Sequence, residues 1–179
     1  MVWRKHYGAP GTAPGTLAPP PDAASHVVVT AIHYTADDYT ETPVTDLQEY
    51  LQTAPPDGVF WFNVDGLGDI EVIETLGAHF QLHPLSLEDV LNIPQRAKVE
   101  DYEHYQFLVF HMPLLDPETA GQTEQVTLFL GQAFVLTFQE RPASDLFESV
   151  RLRLRQARGK LRQSGADYLA YALLDTAID

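Results

Sequence analysis

The chain has 179 residues, 45% of them hydrophobic, which suits a single packed domain. Lys plus Arg number 11 against 25 Asp plus Glu, and the net charge of −14 argues against nucleic acid or an anionic membrane surface as partner while suiting cation binding. The absence of cysteine excludes disulfides and thiolate zinc sites, MVWRKHYGAPG lacks the apolar core of a signal peptide, and no stretch approaches the roughly eighteen apolar residues of a membrane helix. The chain as given therefore reads as soluble and, by default, cytosolic.

Residues 1–25 are expected to form a flexible or extended lead-in, because Gly8 to Ala24 is dominated by Gly, Pro, Ala and Thr and cannot bury enough surface to order itself. His26 to Tyr34 reads as a central strand, and Tyr39 to Val44 as a weaker edge strand. Thr45-x-x-Gln48 is a capping-box spacing that would open a short helix from Thr45 to Thr53. A Pro-Pro-Asp-Gly turn then leads into the apolar strand Val59 to Val64. Asp69 to Gln81 places Ile70, Ile73, Leu76, Gly77 and Phe80 at helical spacing. After a short central helix come two closely joined strands, Lys98 to Glu103 and Tyr105 to Met112, and a hairpin of Gln125 to Leu130 with Ala133 to Phe138.

Beyond Pro142 the pattern turns helical, with Ser144 as candidate N-cap, Leu146, Phe147, Val150, Leu154 and Leu161 on the apolar side, and six of the 11 bases on the same helix. Ser164-x-x-Asp167 is a further capping-box spacing ahead of ADYLAYALLDTAID, which is apolar almost all round. That segment reaches Asp179 with no stop signal, so the helix is expected to continue and the chain to be a piece of a longer protein. The alternation of strands and helices predicts a three-layer α/β/α unit over residues 26–141 with a mixed parallel and antiparallel sheet, and a helical arm over 142–179.

The richest stretch is His83 to Tyr105, HPLSLEDVLNIPQRAKVEDYEHY. Pro84 suits a first helical turn, and Leu85, Leu87, Val90 and Leu91 make a short amphipathic helix stopped before Pro94. Glu88 and Asp89 are then expected to point outward together. Carboxylates suit a hard cation such as Mg2+, which takes oxygen ligands and keeps several waters. Adjacent acids are also common on solvated surfaces, and Ser86-x-x-Asp89 is itself a capping-box spacing, so the residues leave both readings open. Asp175 and Asp179 are four apart on one helical face, and metal binding or mere solubility accounts for either.

The same stretch closely resembles the HPL-x-LED-x-LN-x-x-QR-x-K-V-E pattern of the CorA family of divalent-cation transport proteins, carried here by His83, Pro84, Leu85, Leu87, Glu88, Asp89, Leu91, Asn92, Gln95, Arg96, Lys98, Val99 and Glu100. PGTL at Pro14 to Leu17, WFNVDG at Trp61 to Gly66 and LTFQE at Leu136 to Glu140 extend the resemblance. It implies the cytoplasmic part of an Mg2+ or Co2+ channel, not an enzyme, on the cytoplasmic face of the cell membrane. It further implies a three-layer α/β/α fold, C-terminal helices leading toward a stalk, a homopentamer and regulatory metal sites between subunits. Asp89, with Glu88 and Asp175 nearby, would face a carboxylate on the neighbour's stalk. The stalk, the membrane helices and the Gly-Met-Asn pore motif are not in these 179 residues, so membrane contact would come only through a missing C-terminal part. The implied partners are divalent cations and neighbouring subunits, with no nucleic acid.

Two other readings stay open, the first within the family resemblance and the second from the residues. One is a domain of the zinc-transporting branch of the same superfamily; the other is a soluble metal-dependent hydrolase using His79, His83 and Glu88. The i, i+4 spacing of His79 and His83 suits zinc, but Pro84 forces His83 away from helical geometry and no HExxH arrangement is present. The run Arg151, Arg153, Arg155, Arg158, Lys160 and Arg162 is expected to be a solvated helix face pairing with neighbouring acids.

Overall fold

A computed structural model describes residues 13–114, 121–142 and 146–178. Seven strands form one sheet: β1 (Val28–Tyr34), β2 (Tyr39–Pro43), β3 (Val59–Asp65), β4 (Lys98–Asp101), β5 (Tyr105–Pro113), β6 (Thr123–Gly131) and β7 (Phe134–Gln139). Their order is β2-β1-β3-β7-β6-β5-β4, so the two central strands β3 and β7 are far apart in sequence. They pair in parallel, Phe60 opposite Phe134 through Asp65 opposite Gln139, whereas every other pair is antiparallel. A parallel pair needs a long crossover, and here residues 66–133, with β4 to β6 among them, lie between its members.

Helices cover both faces. On one side α1 (Leu47–Thr53), α2 (Ile70–His79) and α3 (Pro84–Leu91) close a core around Val29, Ala31, Phe62, Val64, Ile73, Leu76, Leu87, Phe107 and Phe129. On the other, α4 (Glu148–Arg155) and α5 (Ala166–Asp175) close a second core around Ile32, Tyr34, Trp61, Leu128, Phe147, Val150, Leu154 and Leu169. Alternation along β3 explains the division: Phe62 and Val64 face one core, Trp61 the other. The expected three-layer α/β/α fold with a mixed sheet is what forms, and each fully buried Leu or Phe contributes about 1.5–3 kcal/mol of hydrophobic stabilisation.

Three expected caps are replaced by neighbours. The α1 cap is Asp46, not Thr45: its backbone is extended at the helix start and its Oδ1 accepts from the Glu49 amide at 2.9 Å. The α3 cap is His83, whose extended backbone (φ −68°, ψ 136°) is set by Pro84 and whose Nδ1 accepts from the Leu85 amide at 3.2 Å. Ser86 therefore lies inside the helix, its Oγ donating to the His83 carbonyl at 2.8 Å. The α5 cap is Gly165, with no side-chain cap bond. Ser144 and Asp179 lie outside the described residues.

The basic segment is not one helix. It breaks after Arg155, with Ala157 (φ 50°) and Gly159 (φ 71°) in the left-handed region, and a short 3-10 turn at Leu161–Gln163 returns Leu161 to the core. Leu154 and Leu161 lie seven apart, which imitates a continuous helical stripe, while the chain reversal at Gly159 achieves the same burial.

Candidate functional site on α3 and β4

Three local devices hold α3 in place. Asp69 caps α2, accepting from the Glu71 amide at 3.0 Å. Gly77 on α2 lets α3 approach, since a Cβ there would stand 2.4 Å from Leu87 Cδ1. At the start of α3, the Tyr105 hydroxyl accepts from the His83 amide at 2.9 Å and lies 3.0 Å from Ser86 Oγ.

With α3 so fixed, the two acids do not stand free in solvent as expected; both are half-buried and bonded. Glu88 Oε2 accepts from the Gly15 amide at 2.7 Å, which brings the PGTL segment of the lead-in onto α3. Gly15 has φ +82°, and a Cβ on it would lie 3.0 Å from Pro84 Cβ, so another residue there would be strained in its backbone and crowded by Pro84. Asp89 Oδ1 accepts from Gln95 Nε2, and Asp89 Oδ2 lies 2.6 Å from Lys98 Nζ. Lys98 Nζ is also 2.8 Å from Glu100 Oε1, and Tyr102 donates to Glu100 Oε2 at 3.3 Å. Gln95 is buried and anchored in turn by its amide, which donates to Gln125 Oε1 at 2.6 Å.

The spacing of the motif now has a physical meaning. Asp89 leaves the last turn of α3, Gln95 returns beneath it from the connecting loop, and Lys98 and Glu100, two apart on β4, point to the same side of the strand. Burial alone would depress the Lys98 ammonium, but its bonds to Asp89 and Glu100 outweigh this and raise it above the ordinary lysine value. Gln95, Lys98 and Glu100 were visible as motif positions; their convergence on Asp89 was not, because it depends on where β4 runs. Gly15 had no signal beyond the PGTL match.

Asp175 is not brought to this place. It ends α5, half-buried in the layer on the opposite face of the sheet from α3. His79 and His83 are not a pair of ligands either: His83 Nδ1 is used as the helix cap, and the His79 ring stands edge-to-face with Phe80, centroids 4.7 Å apart. Among the described residues no group of three His, Asp or Glu side chains could hold a metal ion. The oxygen donors of Asp89 and Glu100 fit a hard cation in kind, while the two of them are too few for a closed site.

The basic run is largely absorbed by structure. Arg151 is buried, stacks over the Trp61 ring at 5.8 Å and lies 3.3 Å from Glu148 and 3.8 Å from Glu41. Arg155 reaches Glu41 at 2.8 Å and Glu148 at 3.2 Å, and Arg162 donates to the Leu154 carbonyl at 2.6 Å. The expected pairing with acids is therefore present at Arg151 and Arg155.

Residues 56–179 match the CorA-like Mg2+ transporter protein family. This chain belongs to that family. It is a family of ion transporters, not of enzymes. A cobalt/magnesium transport protein CorA of Thermotoga maritima is 36% identical over 170 residues, covering 94% of this chain and 48% of the relative. A putative metal ion transporter of Bacillus subtilis is 34% identical over 77% of this chain and 44% of its own length. The chain thus spans about half the length of each of these two relatives. The soluble domain of CorA from Methanocaldococcus jannaschii superposes with a TM-score of 0.57 at 11% identity, over 87% of this chain and 56% of that one. The full-length CmaX protein superposes with a TM-score of 0.67 at 15% identity over 84% of this chain and 45% of that one, and these likenesses concern the fold. No helix among the described residues is long and apolar enough to cross a membrane.

Proposed function

We propose that this chain is the divalent-cation-sensing cytoplasmic domain of a CorA-type channel for Mg2+ or Co2+, on the cytoplasmic face of the cell membrane. Residues 26–141 would be its α/β unit, 142–179 a helical arm leading toward a stalk, and 1–25 a lead-in. Asp89 and Glu88 would bind Mg2+ as a regulatory ligand between subunits of a homopentamer, and Asp175 would contribute from the arm. The observation that supports this best is the carboxylate pair of Asp89 and Glu100, gathered around one cationic head at 2.6 and 2.8 Å in a chain of family membership and net charge −14.

A single subunit offers an incomplete donor set, so carboxylates from two subunits would repel when empty and be clamped by a bridging cation. If the clamp forms only in the closed state, metal shifts the population toward closure by its differential affinity. Rising internal Mg2+ would then shut off its own inflow. The test uses the full-length protein: Mg2+ should protect the parent from proteolysis, and Asp89→Ala should lose most of that protection while its assembly without metal survives. Full protection of Asp89→Ala by Mg2+ would remove Asp89 from the sensing site.

A further inference from the structure

The Asp89 carboxylate already holds a cation, and that cation belongs to the chain itself. Lys98 Nζ bridges Asp89 Oδ2 and Glu100 Oε1, lies over the Phe107 ring at 5.3 Å from its centroid, and belongs to a side chain 26% exposed. We propose that Lys98 is a tethered competitor for the divalent cation at Asp89, so that metal binds there by displacing the ammonium from the Asp89 and Glu100 pair. The proposal rests on the cation-sensing reading of Asp89 and concerns how that site is regulated.

Two carboxylates held around one point attract any cation of suitable size, and the ammonium differs from a metal ion in being attached to the chain. Attachment gives it a fixed effective concentration at the site, independent of the solution. A free divalent ion carries twice the charge but must be concentrated enough to compete. Lys98 therefore sets the metal concentration at which the site responds, without deciding whether it can respond. Displacement is structurally permitted: β4 is the outermost strand, and the four-carbon stem lets the head swing to solvent without moving the backbone. Gln95 has the opposite role. Buried and anchored on Gln125, it holds the Asp89 carboxylate in the same orientation whether the ammonium or a metal ion occupies it.

The test is a titration of the full-length protein with MgCl2, read as the concentration that gives half-maximal protection from proteolysis. Lys98→Gln should bind Mg2+ roughly three- to tenfold more tightly than the parent, the range expected when a partly exposed ion pair no longer competes. Lys98→Arg, which keeps the charge, should bind like the parent. Lys98→Met keeps an unbranched apolar side chain of similar length and should match Lys98→Gln, separating lost charge from lost packing. Equal affinity of parent, Lys98→Gln and Lys98→Met overturns the competitor. If Asp89→Asn at the same time weakens the parent's binding, the cation-sensing reading survives that result. Unchanged binding in Asp89→Asn overturns the reading and the competitor together, and so does an absence of binding in both Lys98→Gln and Lys98→Met.

Discussion

Asp65 shows how far a single residue departs from its sequence appearance. It sits in a WFNVDG segment that reads as an ordinary strand end, yet its carboxylate accepts from Asn63 Nδ2 at 3.0 Å and from Gln139 Nε2, within a network that continues through Thr137 to Trp61. Burial raises its carboxyl to about 6, against the opposing pull of the Asn63 bond and Arg151, with Glu124 adding to the rise. An acid whose folded pKa is raised binds its proton more readily in the folded state. Its contribution therefore favours folding at low pH, weakens as pH climbs from the ordinary aspartate range toward 6, and is an unfavourable constant above it. Asp65→Asn should flatten that part of the stability curve. At about pH 7 the variant should be more stable than the parent by about 1 kcal/mol, below the ceiling of about 3 kcal/mol because the new amide cannot accept at both oxygens. At about pH 4 the advantage should vanish or invert, as read from denaturant midpoints. A parent and variant with parallel pH profiles would show that Asp65 ionises freely.

At the scale of elements, the contact between α2 and α3 positions the site. Gly77 removes the Cβ that would collide with Leu87, so the acid-bearing helix lies closer to the core than ordinary side chains allow. Gly77→Val should destabilise the fold by about 2–3 kcal/mol through overpacking. Combined with Leu87→Ala it should lose less than the two separate losses together, because the second change vacates the space the first needs. Denaturant unfolding of the four proteins measures the coupling, and strict additivity would mean the helices separate freely. The helix starts teach a related lesson. Sequence spacing suggested Thr45, Ser86 and Ser164 as caps, whereas Asp46, His83 and Gly165 occupy those positions. Residues with capping chemistry are common near helix starts, and which one is extended at the boundary depends on the backbone entering from the preceding turn.

For the whole molecule, the expected behaviour follows from where the partly covered apolar groups lie. The large exposed apolar side chains among the described residues are Leu85 on α3, Val99 on β4, Leu152 on α4, Tyr171 on α5 and Ile178 just beyond it, spread over four elements and the turn after α5. The 179-residue chain should therefore be monomeric or weakly associating, because scattered exposed side chains do not supply the buried area of a stable interface. Sedimentation at low micromolar concentration checks this, and a stable pentamer would place far more of the subunit contact within these residues. Mg2+ should stabilise the full-length assembly more than it stabilises this chain, measured as the shift in melting temperature with the metal, since half of each proposed site would come from a neighbour.

The order of strands and helices, the mixed sheet, the first-turn place of Pro84 and the importance of His83 to Tyr105 were all legible in the residues, because period-2 and period-3.6 burial and the backbone limits of proline act locally. The motif also carried the family. What local rules could not supply was any statement about groups distant along the chain. Parallel pairing of β3 with β7 brings Asn63 and Asp65 to Gln139; folding the lead-in back onto α3 brings Gly15 to Glu88; the course of β4 brings Lys98 and Glu100 to Asp89. The same topology sends Asp175 to the far layer. Charge and type are properties of the residue, so the sequence determined that this stretch could attract a cation. Distance is a property of the closed chain, and only the tertiary structure decided that Lys98 already occupies the place.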